Sequence, residues 1–521
     1  METATVCRSI KCTHENIYMS DRSTLAELLG NADASHRCLI GVQPDFSLSY
    51  GAVNEQVERL ADRFRASGLH PGDRVGIVLA NGPEFVITFL GITRARLTAA
   101  PFNEAHKAGE FAALFEDGEI RALVTRGTKP ELKEAADKLN LPVWTLSVSS
   151  AGEVQIEIPG RSGSSHENPK PDDVALFLHT SGTTSKPKGV PLTHANIMYS
   201  VANITEGYKL TADDSTLLVM PLFHVHGLIG ATLSTLYSGG TVIAPDRFSA
   251  SAFWPMASTH RATWYSAVPT IHRTLLLRAE SDAPKRSGFR FIRSCSSALA
   301  PSILKELEDR FQADVLEAYG MTEACHQIAS NPLPPLEHKP GSVGKGGRVQ
   351  VAIMDGERNI LPAGEAGEVV IKGPNVMGGY YKNADANAAA FANGYLRTGD
   401  RGTIDKGGYI YLIGRIKELI NRGGEKISPV EIDAALLSHP AVAEAASFGA
   451  PDQKYGEEVS AAVILKAEAT TSELQDHCRN QLADFKVPKT IHIVSQMPKT
   501  ATGKIQRSSL AETLGNPKKT G

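Results

Sequence analysis

The sequence predicts an α/β fold: a large N-terminal domain of two helix-covered sheets plus a small β subdomain, followed by a mobile α+β C-terminal lid. Three observations carry this. Through residues 1–330 short apolar runs alternate with amphipathic segments, the pattern of parallel strands covered by helices. From about Gly341 to Arg415, Gly- and Pro-rich turns separate short strands, and from 416 to 521 strands and helices mix in one further unit. The reading is an N-terminal domain over 1–415, with 341–415 as the small β subdomain, and a lid over 416–521. At roughly 150 residues per domain, 521 residues allow about three folding units.

Taken in order, Val53, Val57, Leu60, Ala61 and Phe64 share one helical face after Ser49, a natural N-cap, and Arg74 to Ala80 reads as a buried strand. Pro83 opens the next helix. The alternation recurs as strand Val174 to His179, helix Thr193 to Tyr208, strand Thr263 to Val268, helix from Pro269, strand Phe289 to Arg293 and helix Pro301 to Phe311. Glu368 to Lys372 and Tyr409 to Ile413 read as strands of the β subdomain. In the lid, Val459 to Leu465 and Thr490 to Val494 read as strands, and Pro429 to Leu437 and Ser472 to Phe485 as helices.

Composition narrows the function. With 42% apolar and 21% charged residues the chain is a folded globular protein, and 54 basic against 57 acidic residues leave no basic excess for nucleic-acid phosphates. Six cysteines form no CxxC pair, which excludes a zinc ribbon and fits a reducing compartment. The N-terminal stretch lacks the apolar run of a signal peptide, and the last residues, Lys519-Thr520-Gly521, are not a Ser-Lys-Leu type peroxisomal signal, so the sequence points to the cytoplasm. Thr216 to Pro245 carries no Asp, Glu, Lys or Arg, yet Pro221, His224, His226 and Gly239-Gly240 divide it into pieces too short for a membrane span. Oligomeric state is not legible.

The sharpest local signal is Thr180-Ser-Gly-Thr-Thr-Ser-Lys-Pro-Lys-Gly189, after one apolar strand and before the helix near Thr193. Small hydroxyl residues let backbone N–H groups wrap phosphate oxygens, and Lys188 adds positive charge. No GxxxxGK[ST] occurs, so this is a phosphate loop of another kind. Glu317-Ala-Tyr-Gly-Met-Thr-Glu323, Tyr395-Leu-Arg-Thr-Gly-Asp400, Gly414-Arg-Ile-Lys-Glu-Leu-Ile420 and Pro498-Lys-Thr-Ala-Thr-Gly-Lys504 follow. Alone, Asp400 reads as the cap of a TGD turn and Lys504 as a solvated lysine.

In their order and spacing these motifs closely resemble the superfamily of adenylate-forming enzymes, which includes acyl-CoA synthetases, luciferase and peptide-synthetase adenylation domains, from about Leu25 to about Leu510. The resemblance implies a ligase that condenses a carboxylate with ATP to an acyl-adenylate, releases pyrophosphate, and passes the acyl group to CoA, with Mg²⁺ as cofactor. It implies that Thr180, Ser181, Gly182, Thr183, Thr184 and Lys188 hold the β- and γ-phosphates, that Glu323 coordinates Mg²⁺ and that Thr322 contacts the α-phosphate. Tyr319 would stack on adenine opposite Ser297 and Ala298, beside Glu317 and Ala318. Asp400 would accept from both ribose hydroxyls, as an ionised carboxylate can, and Arg415 would add a ribose or phosphate contact. Lys504 is then the adenylation lysine, Lys417 the hinge about which the lid rotates, and Arg422, Gly423 and Gly424 the backbone that lines the pantetheine tunnel. Ser185 stands where many relatives carry glycine.

The acid is read from the segments that line the acyl pocket in this superfamily: His224 and His226, Arg293-Ser-Cys-Ser-Ser297 with Ser294 and Ser296, and Ala324-Cys-His326. They are polar where a fatty-acid or cinnamate pocket is apolar, and a buried polar group without a partner costs about 1–3 kcal/mol. A second substrate carboxylate supplies the partner. These segments, with Pro221-Leu-Phe-His-Val-His-Gly227 and Ile416 to Ser428, look most like the oxalate–CoA ligase branch of plants and fungi, with Cys325 in place of threonine. That implies oxalate. A CoA ligase for another short, medium-chain or aromatic acid, an adenylating enzyme with a carrier-protein or amine acceptor, and a nucleotide-binding pseudoenzyme are the alternatives. Each of His224, His226 and His326 also fits a core histidine satisfied within the fold.

Overall fold

The computed structural model describes residues 22–30, 32–127, 129–159, 167–180, 187–284 and 286–515. Two large sheets form the N-terminal region. The first has seven strands in the order Val154–Ile156, Val143–Val148, Ile120–Thr125, Arg74–Val78, Thr98–Pro101, Val174–His179, Gly189–Thr193. The second has eight, in the order His326–Ser330, Asp314–Met321, Phe291–Ser294, Trp264–Ala267, Ser215–Leu217, Thr241–Ala244, Arg37–Val42, Asp45–Ser49. Interior pairs are parallel and the outermost pairs antiparallel, as chains with helical crossovers require.

The local chemistry that starts the helices is the chemistry read in the sequence. Ser49 caps Tyr50–Arg65 by accepting from Ala52 N at 3.2 Å, and Val53, Val57, Leu60, Ala61 and Phe64 are buried along one face. Thr193 and Asn196 form a capping box on His194–Gly207. Pro83, Pro269, Pro301 and Pro429 each open a helix, where a missing N–H costs nothing.

Thr216 to Pro245 folds as two buried strands joined by a short helix, a π-helical turn over Leu228–Leu233 and the helix Ser234–Tyr237. Among the described residues no helix is long and apolar enough to cross a membrane.

A five-stranded antiparallel sheet occupies Gln350 to Arg415, and a second five-stranded sheet with helices Pro429–Leu437, Thr471–Arg479 and Arg507–Leu514 forms the C-terminal domain. One sequence expectation is corrected, and one bland alternative is set aside. The helix expected to reach Phe485 ends at Arg479, because the chain turns at Asn480 to send Leu482 N–H to Cys478 O at 2.8 Å and pack Leu482 into the C-terminal core. Asp400 caps no turn: it sits within strand Tyr395–Ile404, paired with Arg415 of the neighbouring strand.

Candidate active site

Parallel strands Trp264–Ala267, Phe291–Ser294 and Asp314–Met321 end side by side. Beyond their carboxyl ends, where open α/β sheets place ligands, lie two cavities of about 650 and about 320 Å³ that meet at Ser296, Gly320, Arg415 and Lys504.

Ser297, Ala298, Glu317, Ala318, Tyr319 and Asp400 line the smaller cavity. Tyr319 donates its hydroxyl to Asp400 Oδ2, and Arg415 Nε lies 2.9 Å from Asp400 Oδ1. Burial raises the Asp400 carboxyl pKa and Arg415 opposes that; burial works against the Arg415 charge in turn, but Asp400, Tyr319, Glu418 and Glu323 together outweigh it and the guanidinium pKa is raised. Glu317 is buried with Oε2 accepting from Gly341 N at 2.8 Å, and burial pushes its carboxyl up to about 8.

Thr180, Lys188, Thr322 and Glu323 line the larger cavity. Ser181, Gly182, Thr183, Thr184 and Ser185 lie outside the described residues. Their neighbours set the geometry: Thr180 N–H donates to Lys188 O at 3.0 Å, closing a hairpin between strands Val174–His179 and Gly189–Thr193. Strand Gly189–Thr193 then runs into the helix that the sequence placed near Thr193, His194–Gly207. Lys188 Nζ lies 4.5 Å from the Tyr380 ring centroid, and Tyr380 donates to Glu323 Oε1 at 2.8 Å. Among the described residues the second Glu323 oxygen has no partner, so this carboxylate fits a hard cation such as Mg²⁺, which takes one or two carboxylates together with phosphate oxygens.

Lys504 lines both cavities, on a turn whose Gly503 (φ 86°) accepts from Thr270 Oγ1 at 3.2 Å. Burial lowers the Lys504 pKa, with Arg415 adding to it. Lys417 is exposed in the turn Ile416–Glu418 that joins the two five-stranded sheets, on the rim of the larger cavity. Arg422, Gly423 and Gly424 line neither cavity. They form a hairpin turn, with both glycines at positive φ and Arg422 paired to Glu458 and 4.0 Å from the Tyr455 ring centroid.

The residues read from sequence as the acyl pocket separate in the structure. His224, Ser296 and His326 line the larger cavity. His226 stands behind them, its Nδ1 3.0 Å from Ser296 Oγ and its Nε2 2.7 Å from Ser266 Oγ, and its ring stacks on His326 at 5.0 Å. Ser294 is buried at a strand end, its Oγ without a partner among the described residues, and it lines neither cavity. His224 Nδ1 accepts from His226 N–H at 3.2 Å, so the neutral ring carries its proton on Nε2. Burial lowers His224 to about 4, and burial followed by the nearby Arg293 holds His226 and His326 well below the usual imidazole value.

Sequence reasoning placed Arg293 in a polar stretch without a role. It is fully buried and donates to Tyr208 Oη (2.8 Å), Ser266 Oγ (3.2 Å), His326 Nε2 (2.8 Å) and Gln327 Oε1 (3.0 Å). None of these is an acid. The signal was a charged residue within the short buried strand Phe291-Ile-Arg-Ser294. Close packing holds the ring: a Cβ on Gly230, in the π-helical turn, would sit 2.4 Å from His326 Nε2, and one on Gly320 1.8 Å from His326 O.

Known proteins resemble this chain over most of its length. The chain is 48% identical over 511 residues to an oxalate–CoA ligase of Arabidopsis thaliana, covering 94% of this chain and 99% of that one, and 45% identical to an oxalate–CoA ligase of Saccharomyces cerevisiae, covering 85% and 87%. ATP-bound MatB from Rhodopseudomonas palustris superposes with a TM-score of 0.86 at 29% identity, covering 95% of this chain and 99% of that one. The AMP-binding enzyme signature matches residues 30–381, and the AMP-binding enzyme C-terminal domain matches 431–504. A cleft beyond parallel strand ends, capped by a lysine-bearing C-terminal domain, thus comes with full-length similarity, and the chain belongs to the AMP-binding enzymes.

Proposed function

We propose that this protein is an oxalate–CoA ligase. One oxalate carboxylate oxygen attacks the α-phosphorus of ATP, the bond to the bridging oxygen breaks and pyrophosphate leaves; the CoA thiolate then attacks the acyl carbon and AMP leaves. Two anions meet in the first step, so positive charge aimed at the reacting oxygens stabilises it most. Lys504 and Lys188 supply that charge, Thr322 contacts the α-phosphate, and Asp400 and Arg415 hold the ribose. Glu323 would hold Mg²⁺, which neutralises phosphate charge when bound. The N-terminal domain ends at Arg415, and rotation about Lys417 exchanges the Lys504 face for the turn Arg422-Gly423-Gly424 in the thioester step. The four cysteines among the described residues are buried and free, in keeping with a reducing cytoplasm.

The observation that carries the substrate is the acyl end itself. His224, Ser296 and His326 line it, and behind them stand neutral His226 and a guanidinium that has no acidic partner among the described residues, a polar set that suits a short second carboxylate. Oxalate–CoA ligases at 48 and 45% identity support the same reading. ATP–pyrophosphate exchange over a panel of mono- and dicarboxylic acids tests it. Oxalate is preferred strongly over acetate and moderately over malonate, since one methylene is worth only about 1–3 kcal/mol. A fatty acid or a cinnamate preferred over oxalate would sink the assignment.

A further inference from the structure

We propose that Arg293 is a positioning residue whose buried guanidinium sets the direction of two hydrogen-bond relays, so that His326 and Ser296 both present donors to the distal carboxylate of the substrate. This rests on reading the cavity as a small-diacid site.

A guanidinium only donates. Arg293 Nη1 lies 2.8 Å from His326 Nε2, so Nε2 is the acceptor and the proton of the neutral ring sits on Nδ1. Among the described residues that Nδ1 has no partner, and His326 lines the cavity. The second Nη1 hydrogen goes to Ser266 Oγ at 3.2 Å. Ser266 is 2.7 Å from His226 Nε2 and has no third side-chain partner among the described residues. Were the His226 proton on Nε2, Ser266 would accept twice and its own hydroxyl hydrogen would be buried without an acceptor, at a cost of about 1–3 kcal/mol. Ser266 therefore donates to Nε2, the His226 proton sits on Nδ1, and Nδ1–H donates to Ser296 Oγ at 3.0 Å. That leaves the Ser296 hydroxyl hydrogen for the cavity that Ser296 lines.

The remaining guanidinium contacts hold it in this pose. Nε–H goes to Tyr208 Oη at 2.8 Å and Nη2–H to Gln327 Oε1 at 3.0 Å, so the donor fork is fixed on three sides. Ser296 (φ 73°) and His326 (φ 83°) are both held in left-handed backbone, a costly conformation that turns their side chains toward the cavity. His224 is the internal contrast, because its tautomer is set by a backbone N–H and not by Arg293.

The test reads the tautomers directly. In full-length protein labelled with ¹⁵N-histidine, long-range ¹H–¹⁵N correlation, with signals assigned through His226→Gln and His326→Gln, should find the proton on Nδ1 of both rings. A proton on Nε2 of either ring overturns the relay. That result does not depend on which acid is activated, so a wild-type enzyme that prefers another acid refutes the oxalate reading alone. In kinetics, Arg293→Met should reduce the oxalate-to-acetate ratio of kcat/KM by about 100-fold, the scale of two charge-assisted bonds lost. Arg293→Lys should restore part of it, and the KM for ATP should hold in both. An unchanged ratio, or equal loss with both acids, refutes the positioning role. If Arg293→Met does not fold, the wild-type tautomers decide.

Discussion

The two ends of the cleft, the proposed nucleotide end and the proposed acyl end, arrange their charges differently. At the nucleotide end, opposite charges are paired and face one another: Asp400 with Arg415, and Lys504 beside both. At the proposed acyl end Arg293 has no counter-ion among the described residues, and the histidines between it and the cavity are neutral. Paired groups suit a ligand with several charges that must also leave, because part of each ion's desolvation is already offset before binding. A lone buried guanidinium acting through hydroxyls and imidazoles suits a small acid, because any monoacid leaves the donors unpaired.

The largest effect separates the ends outright. Lys504→Ala should depress adenylate formation by about two to three orders of magnitude, and thioester formation from supplied acyl-adenylate far less; equal loss in both half-reactions, measured by pyrophosphate exchange and by CoA transfer, would remove Lys504 from the first step. Next comes Gly230→Ala, whose Cβ would meet His326 Nε2 at 2.4 Å. It should raise the KM for oxalate by about tenfold with the KM for ATP unchanged, although Ala is the better helix former by about 1 kcal/mol. A stabilised enzyme with an unchanged oxalate KM would show that His326 tolerates displacement.

The hinge gives a smaller and more selective change. Lys417→Pro should slow acyl-CoA synthesis severalfold and spare adenylation, since fixed φ hinders rotation; overall synthesis at the wild-type rate would place the pivot elsewhere. The smallest concerns stability. His194, His224 and His272 are each lowered to about 4 by burial, so the unfolded chain binds more protons than the native one between pH 6.5 and 4, and stability falls as pH falls through that window. Glu317, raised to about 8, works in the opposite sense between 4.5 and 8. With His226 and His326 also lowered and Asp400 also raised, the histidines outnumber the carboxyls, and urea midpoints that rise on acidification from pH 6.5 to 5 would contradict the balance.

The nucleotide end was the more legible in sequence because its parts are local. Each short motif keeps its residues within a few positions, so once the order and spacing of the motifs gave the family resemblance, Lys188, Tyr319, Glu323, Asp400, Arg415 and Lys504 could be named, and the structure brings them to one cleft. At the acyl end the sequence offered a polar set without an order. It placed His226 and Ser294 among the lining residues, whereas His226 stands behind Ser296 and Ser294 is enclosed at its strand end.

By itself the sequence determined the elements, through caps, prolines at helix starts and apolar periodicity, and the phosphate, ribose and lysine motifs that those elements carry. Only the tertiary structure decided the polarity of the acyl end. Ser266 and Arg293 are register partners on adjacent parallel strands, as are Met321 and His326 on an antiparallel pair, while His226 arrives from a separate helix and Gly230 from the turn after it. Which nitrogen of a neutral imidazole holds the proton depends on what its other nitrogen meets across those registers, and a linear sequence does not contain that distance.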